Sequence, residues 1–322
     1  MRNYALLGSV LFTLISVCIL AEEKPCKSTV TGHLDVFPIV SATFHNTRNL
    51  RVWLPPGYDD PANAAKKYPV LYLLDGKGAF DECTAYLHEE MHADETLTEL
   101  ITSGKIPPLI AVGIDNGSDV IEQNNDRPKT DQGNGRALEY MPYPGPYYLP
   151  DLHDVHGSQL PDFLEHDVIP AVAAKYRVFS GGKNSALWGA SLSGAAALYI
   201  AIERPDLFDR MIIESPSLFV GNGRLLRDSV SLTNAPSRIA LGIGTAESLD
   251  SWFPNAATLN AGWVRMMHSL ADNLKAAAYS PTKVQLTIAE GAHHSNVEFG
   301  RRFAAGLLFI YAPEPTKPNN AQ

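Results

Sequence analysis

Trp188-Gly189-Ala190-Ser191-Leu192-Ser193-Gly194 is the stretch whose reading decides the fold. It follows the short apolar run Ser185-Ala186-Leu187-Trp188-Gly189, which suits a strand. It opens the small-residue segment Gly194–Ile202, which suits a helix ending near Pro205. A serine between strand and helix, flanked by small residues, sits on a turn tight enough to push its hydroxyl outward as a nucleophile. Gly189 fills the position two residues before Ser191; Ser193 stands two residues after it, where the pattern prefers glycine, and Gly194 follows directly. Taken alone, the same residues would also suit a turn that merely packs a helix on a sheet.

Working outward, Val36–Phe44 and Leu50–Leu54 alternate and read as antiparallel strands, the second ended by Pro55-Pro56-Gly57. Pro69–Leu74, Leu109–Ile114, Met211–Ile213, Ile239–Ile243 and Val284–Ile288 are continuous apolar runs, as in strands buried on both faces of a parallel sheet. Helical spacing runs over Phe80–Ile101, Leu160–Tyr176, Leu259–Ala277 and Phe299–Tyr311. This alternation predicts an α/β fold: a mostly parallel central sheet with helices on both faces and its ligand at the carboxyl ends of the strands. Residues 115–156 are rich in Asn, Gly, Pro and Asp and form a long connection of the kind that is either functional or disordered.

The first 21 residues read as a signal peptide: Arg2, an apolar run from Ala5 to Leu20, then Ala21 before Glu22-Glu23-Lys24. One domain is expected over 22–312, with a disordered Pro- and Asn-rich tail at 313–322. The expected location is secreted or periplasmic. No later stretch is long and apolar enough to span a bilayer. The formal net charge of −9 argues against nucleic acid or an anionic membrane as partner. Cys26 and Cys83 are the cysteines left after the leader, free to pair in an oxidising compartment.

A serine hydroxyl needs a base, and in strand-turn-helix folds the order along the chain is serine, acid, histidine. Gly242-Ile243-Gly244-Thr245-Ala246-Glu247 leaves a strand and puts Glu247 beyond its carboxyl end, with Asp250 as rival acid. Glu290-Gly291-Ala292-His293-His294-Ser295 follows the last strand and offers two histidines. An oxyanion hole needs two backbone N–H groups: Leu192 beside the serine, and Lys77 in the loop Asp75-Gly76-Lys77-Gly78. Arg136, Tyr140 and Trp252 are the substrate-binding candidates. Arg136 and Glu139 are expected to pair with each other or to touch substrate. No cofactor and no metal are assigned.

A competing motif is His88-Glu89-Glu90-Met91-His92, which matches H-E-x-x-H; on a helix it would present two zinc ligands on one face, with Glu89 as general base. It lies within the run read as helical. The match is short, and we set this metalloprotease reading below the serine one.

With these residues in place, the chain resembles the esterase family of α/β-hydrolases that includes esterase D, bacterial feruloyl esterases and enterobactin-type siderophore esterases. The resemblance runs from about Val40 to Tyr311. It rests on Arg51–Tyr58, Tyr68–Gly76, Ile106–Ile114, the stretch from Arg136 to Pro142, the serine turn and Glu214-Ser215-Pro216-Ser217-Leu218. It implies metal-independent ester hydrolysis through an acyl-enzyme and leaves the acid and alcohol of the small-molecule ester open among siderophore, feruloyl and acyl-sugar types. In the family the base precedes an aromatic by five positions, which selects His294 through Phe299, and the acid follows a Gly-Thr pair, which selects Glu247. Ser193 for glycine and Glu247 where many relatives carry Asp are departures. Acyl transfer on the same groups and a silent binding protein on this fold are the alternatives.

Overall fold

The structure is a computed structural model that describes residues 26–119, 135–145, 152, 154–232, 235–248, 255–277 and 283–313. The leader, Asp250, Trp252 and residues 314–322 lie outside the described residues.

Strands β1 (His33–Ser41), β2 (Asn46–Leu54), β3 (Val70–Leu74), β4 (Ile110–Ile114), β5 (Ser185–Ala190), β6 (Arg210–Glu214), β7 (Arg238–Gly244) and β8 (Val284–Ala289) form one sheet in the order β1-β2-β4-β3-β5-β6-β7-β8. β1 and β2 are antiparallel to each other, and β2 is antiparallel to β4; from β4 to β8 all pairings are parallel. The helices are α1 (Ala93–Thr102), α2 (Gly135–Tyr140), α3 (Leu160–Phe163), α4 (Ile169–Lys175), α5 (Leu192–Glu203), α6 (Val220–Asp228), α7 (Ala256–Ala277) and α8 (Asn296–Ile310).

The continuous apolar runs sort themselves by the two-residue period of a strand. Val70, Tyr72 and Leu74 point to one core with Ile110, Val112, Ile213 and Leu241, and there they meet α3, α5 and α7. Leu71, Leu73, Ala111, Trp188 and Ile212 point to the other, where α1 and α8 cover them through Leu97, Leu100, Phe299, Phe303 and Leu307. Both faces are therefore dry, and the parallel strands need no polar alternation. β1 is a sheet edge and leaves Val36 and Val40 exposed.

Two expectations change. The helical spacing over Phe80–Ile101 yields an α-helix only from Ala93, preceded by a single 3-10 turn at Tyr86–His88. Before α1 the chain is irregular, with left-handed backbone at Leu87, His88 and His92 and a disulfide joining Cys26 to Cys83. The H-E-x-x-H residues thus share no α-helix, and their one-face geometry does not arise. The run Leu160–Tyr176 is interrupted by a π turn at Leu164–Val168, ending two residues before Pro170, whose ring cannot supply an N–H to a regular α ladder. Among the described residues no helix is long and apolar enough to cross a membrane.

Candidate active site

The register sets the rim. Ala190 of β5 pairs with Glu214 of β6, and Glu214 with Gly242 of β7, while Gly244 pairs with Ala289 of β8. The chain therefore leaves four neighbouring strands along one carboxyl edge, carrying Ser191, Ser215, Glu247 and His294 in the loops that follow.

Ser191 holds φ 60° and ψ −121°, a conformation rare for a residue with a side chain, which typically costs about 1–3 kcal/mol. Its backbone is clamped on both sides: its N–H donates to Glu214 O at 3.0 Å, and its carbonyl accepts from Ala195 and Ser217 at 3.0 and 2.9 Å. Glycine is required beside it. A Cβ at Gly189 would sit 2.3 Å from Ser193 O, and one at Gly194 would sit 2.9 Å from Glu214 O. Ser193 itself fits because its buried hydroxyl turns back on Ala190, donating to its O at 2.7 Å and accepting from its N–H at 2.9 Å. The glycine contact that the motif expects two residues on is met one residue later, at Gly194.

The two histidines separate cleanly. His294 Nδ1 lies 2.5 Å from Glu247 Oε2, with the Phe299 ring edge-on at 5.1 Å, whereas His293 Nδ1 faces Ala246 O at 3.0 Å. Glu247 is buried, and its Oε1 also accepts from the Ser215 hydroxyl and the Gly244 N–H, both at 2.6 Å. Burial works to raise its carboxyl, but the bonds from His294, Ser215 and Gly244 outweigh burial and hold it below the usual carboxylate range. A carboxylate on that side puts the proton on Nδ1 of His294 and leaves Nε2 as the basic nitrogen.

Behind the acid lies a buried set that the sequence did not reveal. Arg302 of α8 donates from Nη2 to Ser215 Oγ at 3.2 Å and from Nε to Glu214 Oε2 at 2.7 Å. Ser215 adopts φ 40° to reach Glu247. Gly242 leaves room for the Glu214 carboxylate, which a Cβ would approach to 2.2 Å. Burial pushes Glu214 up to about 7 despite the guanidinium beside it. Glu214-Ser215-Pro216 was visible as a family segment, but Arg302 gave only the faint signal of a basic residue on the apolar side of a helix.

On the opposite side of Ser191, β3 ends in Asp75, at φ 62°, and the turn Gly76–Gly78. A Cβ on Gly76 would meet the backbone of Gly113 at 2.5 Å, so only glycine lets this turn lie against β4. Arg136 grips Asp75 with two bonds, Nε to Oδ1 at 2.8 Å and Nη2 to Oδ2 at 2.7 Å, and Asn116 adds a third at 2.8 Å. Burial opposes the Asp75 charge, but the Arg136 charge and bonds prevail and keep its carboxyl low. Arg136 also lies 3.4 Å from Ala190 O, beside the serine turn. Lys77 is at the centre of the turn, its carbonyl accepting from Thr84 Oγ1 at 2.8 Å. A small cavity of about 30 Å³ lies between this turn and the serine side, lined by Asp75, Gly78, Arg136, Ala190, Asn296 and Phe299.

Two binding candidates take different places from those expected. Glu139 pairs with Arg48 at 2.6 Å, and Arg136 with Asp75 at 2.7 Å. Tyr140 is 1% exposed and accepts the Asp75 N–H on its hydroxyl at 3.2 Å, so it shapes the turn from below and offers no surface to a substrate.

A family model described as "Putative esterase" matches residues 41–310. The ferri-bacillibactin esterase BesA of Bacillus subtilis (strain 168) is 29% identical over 195 residues, spanning 56% of this chain and 60% of that one. Among solved structures, the BES protein from Bacillus cereus is 19% identical at TM-score 0.63, covering 89% of this chain and 98% of that one. The siderophore hydrolase EstA from Aspergillus nidulans is also 19% identical, at TM-score 0.64, covering 87% and 95%. At such identity the solved structures speak for the fold, and the family match speaks for the chemistry. The serine turn, the neighbouring strand ends and the matched span converge on one assignment: this chain belongs to that esterase family and is a carboxylic ester hydrolase.

Proposed function

We propose that the chain is an exported serine hydrolase that cleaves esters through an acyl-enzyme, with Ser191 as nucleophile, His294 as base and Glu247 as acid. The observation that carries the reading is the bond from His294 to a buried carboxylate in the loop one strand away, on the rim where Ser191 is held outward. His294 Nε2 takes the Ser191 proton as Oγ attacks the ester carbonyl, and Glu247 stabilises the imidazolium. The oxyanion accepts from the backbone N–H groups of Leu192, at the first position of α5, and Lys77. The protonated alcohol leaves, and water then attacks the acyl-serine by the same route in reverse.

Arg136 and Tyr140 position the Asp75–Gly78 turn in this scheme. The substrate class we favour is a siderophore-type ester, because BesA and EstA carry that activity in their names and align over much of this chain. Export is supported by the leader pattern and by the Cys26–Cys83 bond, which persists in oxidising compartments.

Ser191→Ala tests the reading. Turnover of short activated esters and of a catecholate trilactone should fall by about ten-thousand-fold or more while the circular dichroism spectrum stays that of the wild type. Turnover within threefold of wild type refutes it.

A further inference from the structure

Between the disulfide and α1 the fold gathers three carboxylates, and among the described residues His92 is the one basic group that pairs with them. Glu90 is 1% exposed, and among the described residues neither of its carboxylate oxygens completes a well-formed hydrogen bond; the Thr29 hydroxyl and His92 Nδ1 are the donors beside it. Asp94 is fully buried; the Thr31 N–H donates to its Oδ2 at 2.5 Å, and its Oδ1 has no donor. Glu95 accepts the Thr31 hydroxyl on Oε1 at 3.2 Å and leaves Oε2 without a donor. His92 directs Nδ1 into the same corner, 3.2 Å from Glu90 Oε1 and 3.8 Å from Glu95 Oε2. One potential ligand atom from each of Glu90, His92 and Glu95 lies within 4.8 Å of the other two.

A buried carboxylate without a partner is costly, and several together are more so. An imidazolium at His92 would offset one charge and would leave the Glu90, Glu95 and Asp94 oxygens in want of a cation. His92 is at the left-handed turn that starts α1, so residues on either side of the turn converge on one point.

We propose that Glu90, His92 and Glu95, with Asp94 behind them, bind one divalent cation. Two carboxylates with an imidazole suit a first-row ion such as zinc or manganese better than calcium or magnesium, which favour oxygen alone. The exposed side of His92 leaves room for water to complete the coordination. The ion braces three pieces of chain: residues 28–31 through Thr31, the irregular stretch before α1, and α1 itself. None of its ligands is one of the hydrolytic groups, although the segment that carries them is bonded to the Gly76–Gly78 turn through Met91 N–H and Gly78 O at 2.8 Å. His88, the other histidine of H-E-x-x-H, faces Glu82 O and takes no part.

The test uses the full mature chain, stripped with chelator and titrated separately with zinc, manganese and calcium, followed by calorimetry and thermal unfolding. Zinc or manganese should bind at one equivalent and raise the melting temperature by about 5 °C at a hundredfold excess over Kd. His92→Ala should weaken binding at least tenfold. Glu90→Gln should abolish the response, yet melt no lower than wild type when metal-free, because it removes an unbalanced buried charge. The proposal is overturned if no ion gives a saturable isotherm or shifts the melt, or if both variants bind as the wild type does. A calcium response that His92→Ala leaves intact overturns the assignment of the imidazole.

Discussion

Replacing each of the adjacent histidines in turn reads out a difference of one bond. His294→Ala removes the imidazole held by Glu247, and ester turnover should drop by about ten-thousand-fold; His293→Ala removes a ring that touches only the Ala246 carbonyl and should stay within about threefold. Steady-state kinetics on one activated ester settles it, and a reversed order sinks the base assignment. Glu247 adds a pH signature. Its carboxyl is held below its ordinary value near 4.5, so in the interval between the two values the unfolded chain binds the extra proton. The stability it contributes is present above about pH 4.5 and is lost as pH falls through the lower, folded value. The urea midpoint of the wild type should therefore climb with pH below 4.5, and Glu247→Gln should flatten that climb; parallel curves for the two proteins would contradict the account. Ser191 and the loops bearing Glu247 and His294 stood out in the sequence because each follows an apolar run; the choice of Glu247 over Asp250 and of His294 over His293 rested on the family resemblance. The contact between Ser215 and Arg302 was not legible, since it spans 87 residues and neither the family segment around Ser215 nor the lone basic residue in α8 points to the other.

The segment before α1 shows how an element can obey a pattern and still not form. Phe80, Met91, Ala93, Leu97 and Leu100 are all buried, as a helical stripe would have them, but the first two reach the core from irregular chain. Left-handed turns at Leu87, His88 and His92 and the Cys26–Cys83 link override the spacing, and none of these is written in apolar periodicity. The link closes a span of 57 residues, for which the chain-entropy argument gives about 4 kcal/mol. Cys83→Ser should lower the unfolding free energy by up to that amount in chemical denaturation; a loss under about 1 kcal/mol would show that residues 26–31 are held by their hydrogen bonds to Asp81, Asp94 and Glu95 instead. The strands fared better than the helices. Their apolar runs are dictated by burial on both faces, which composition alone reveals.

At the scale of the molecule, the serine turn and the acid–histidine pair draw on both cores. α5 buries its apolar face in one and α8 in the other, with the sheet between them. That arrangement followed from the alternation of strand and helix. The strand order could not be read, because placing β3 between β4 and β5 depends on crossovers that leave no mark in the sequence. The margin formed by β1 carries a further consequence. Val36 and Val40 lie bare there, 49% and 78% exposed, and such a ribbon would ordinarily invite a stray chain to zip alongside it. Pro38 stands between them, and proline is tolerated in a strand where its absent N–H would have faced outward. The row of outward amides is thereby interrupted midway, and the molecule carries its own stop against polymerising side by side.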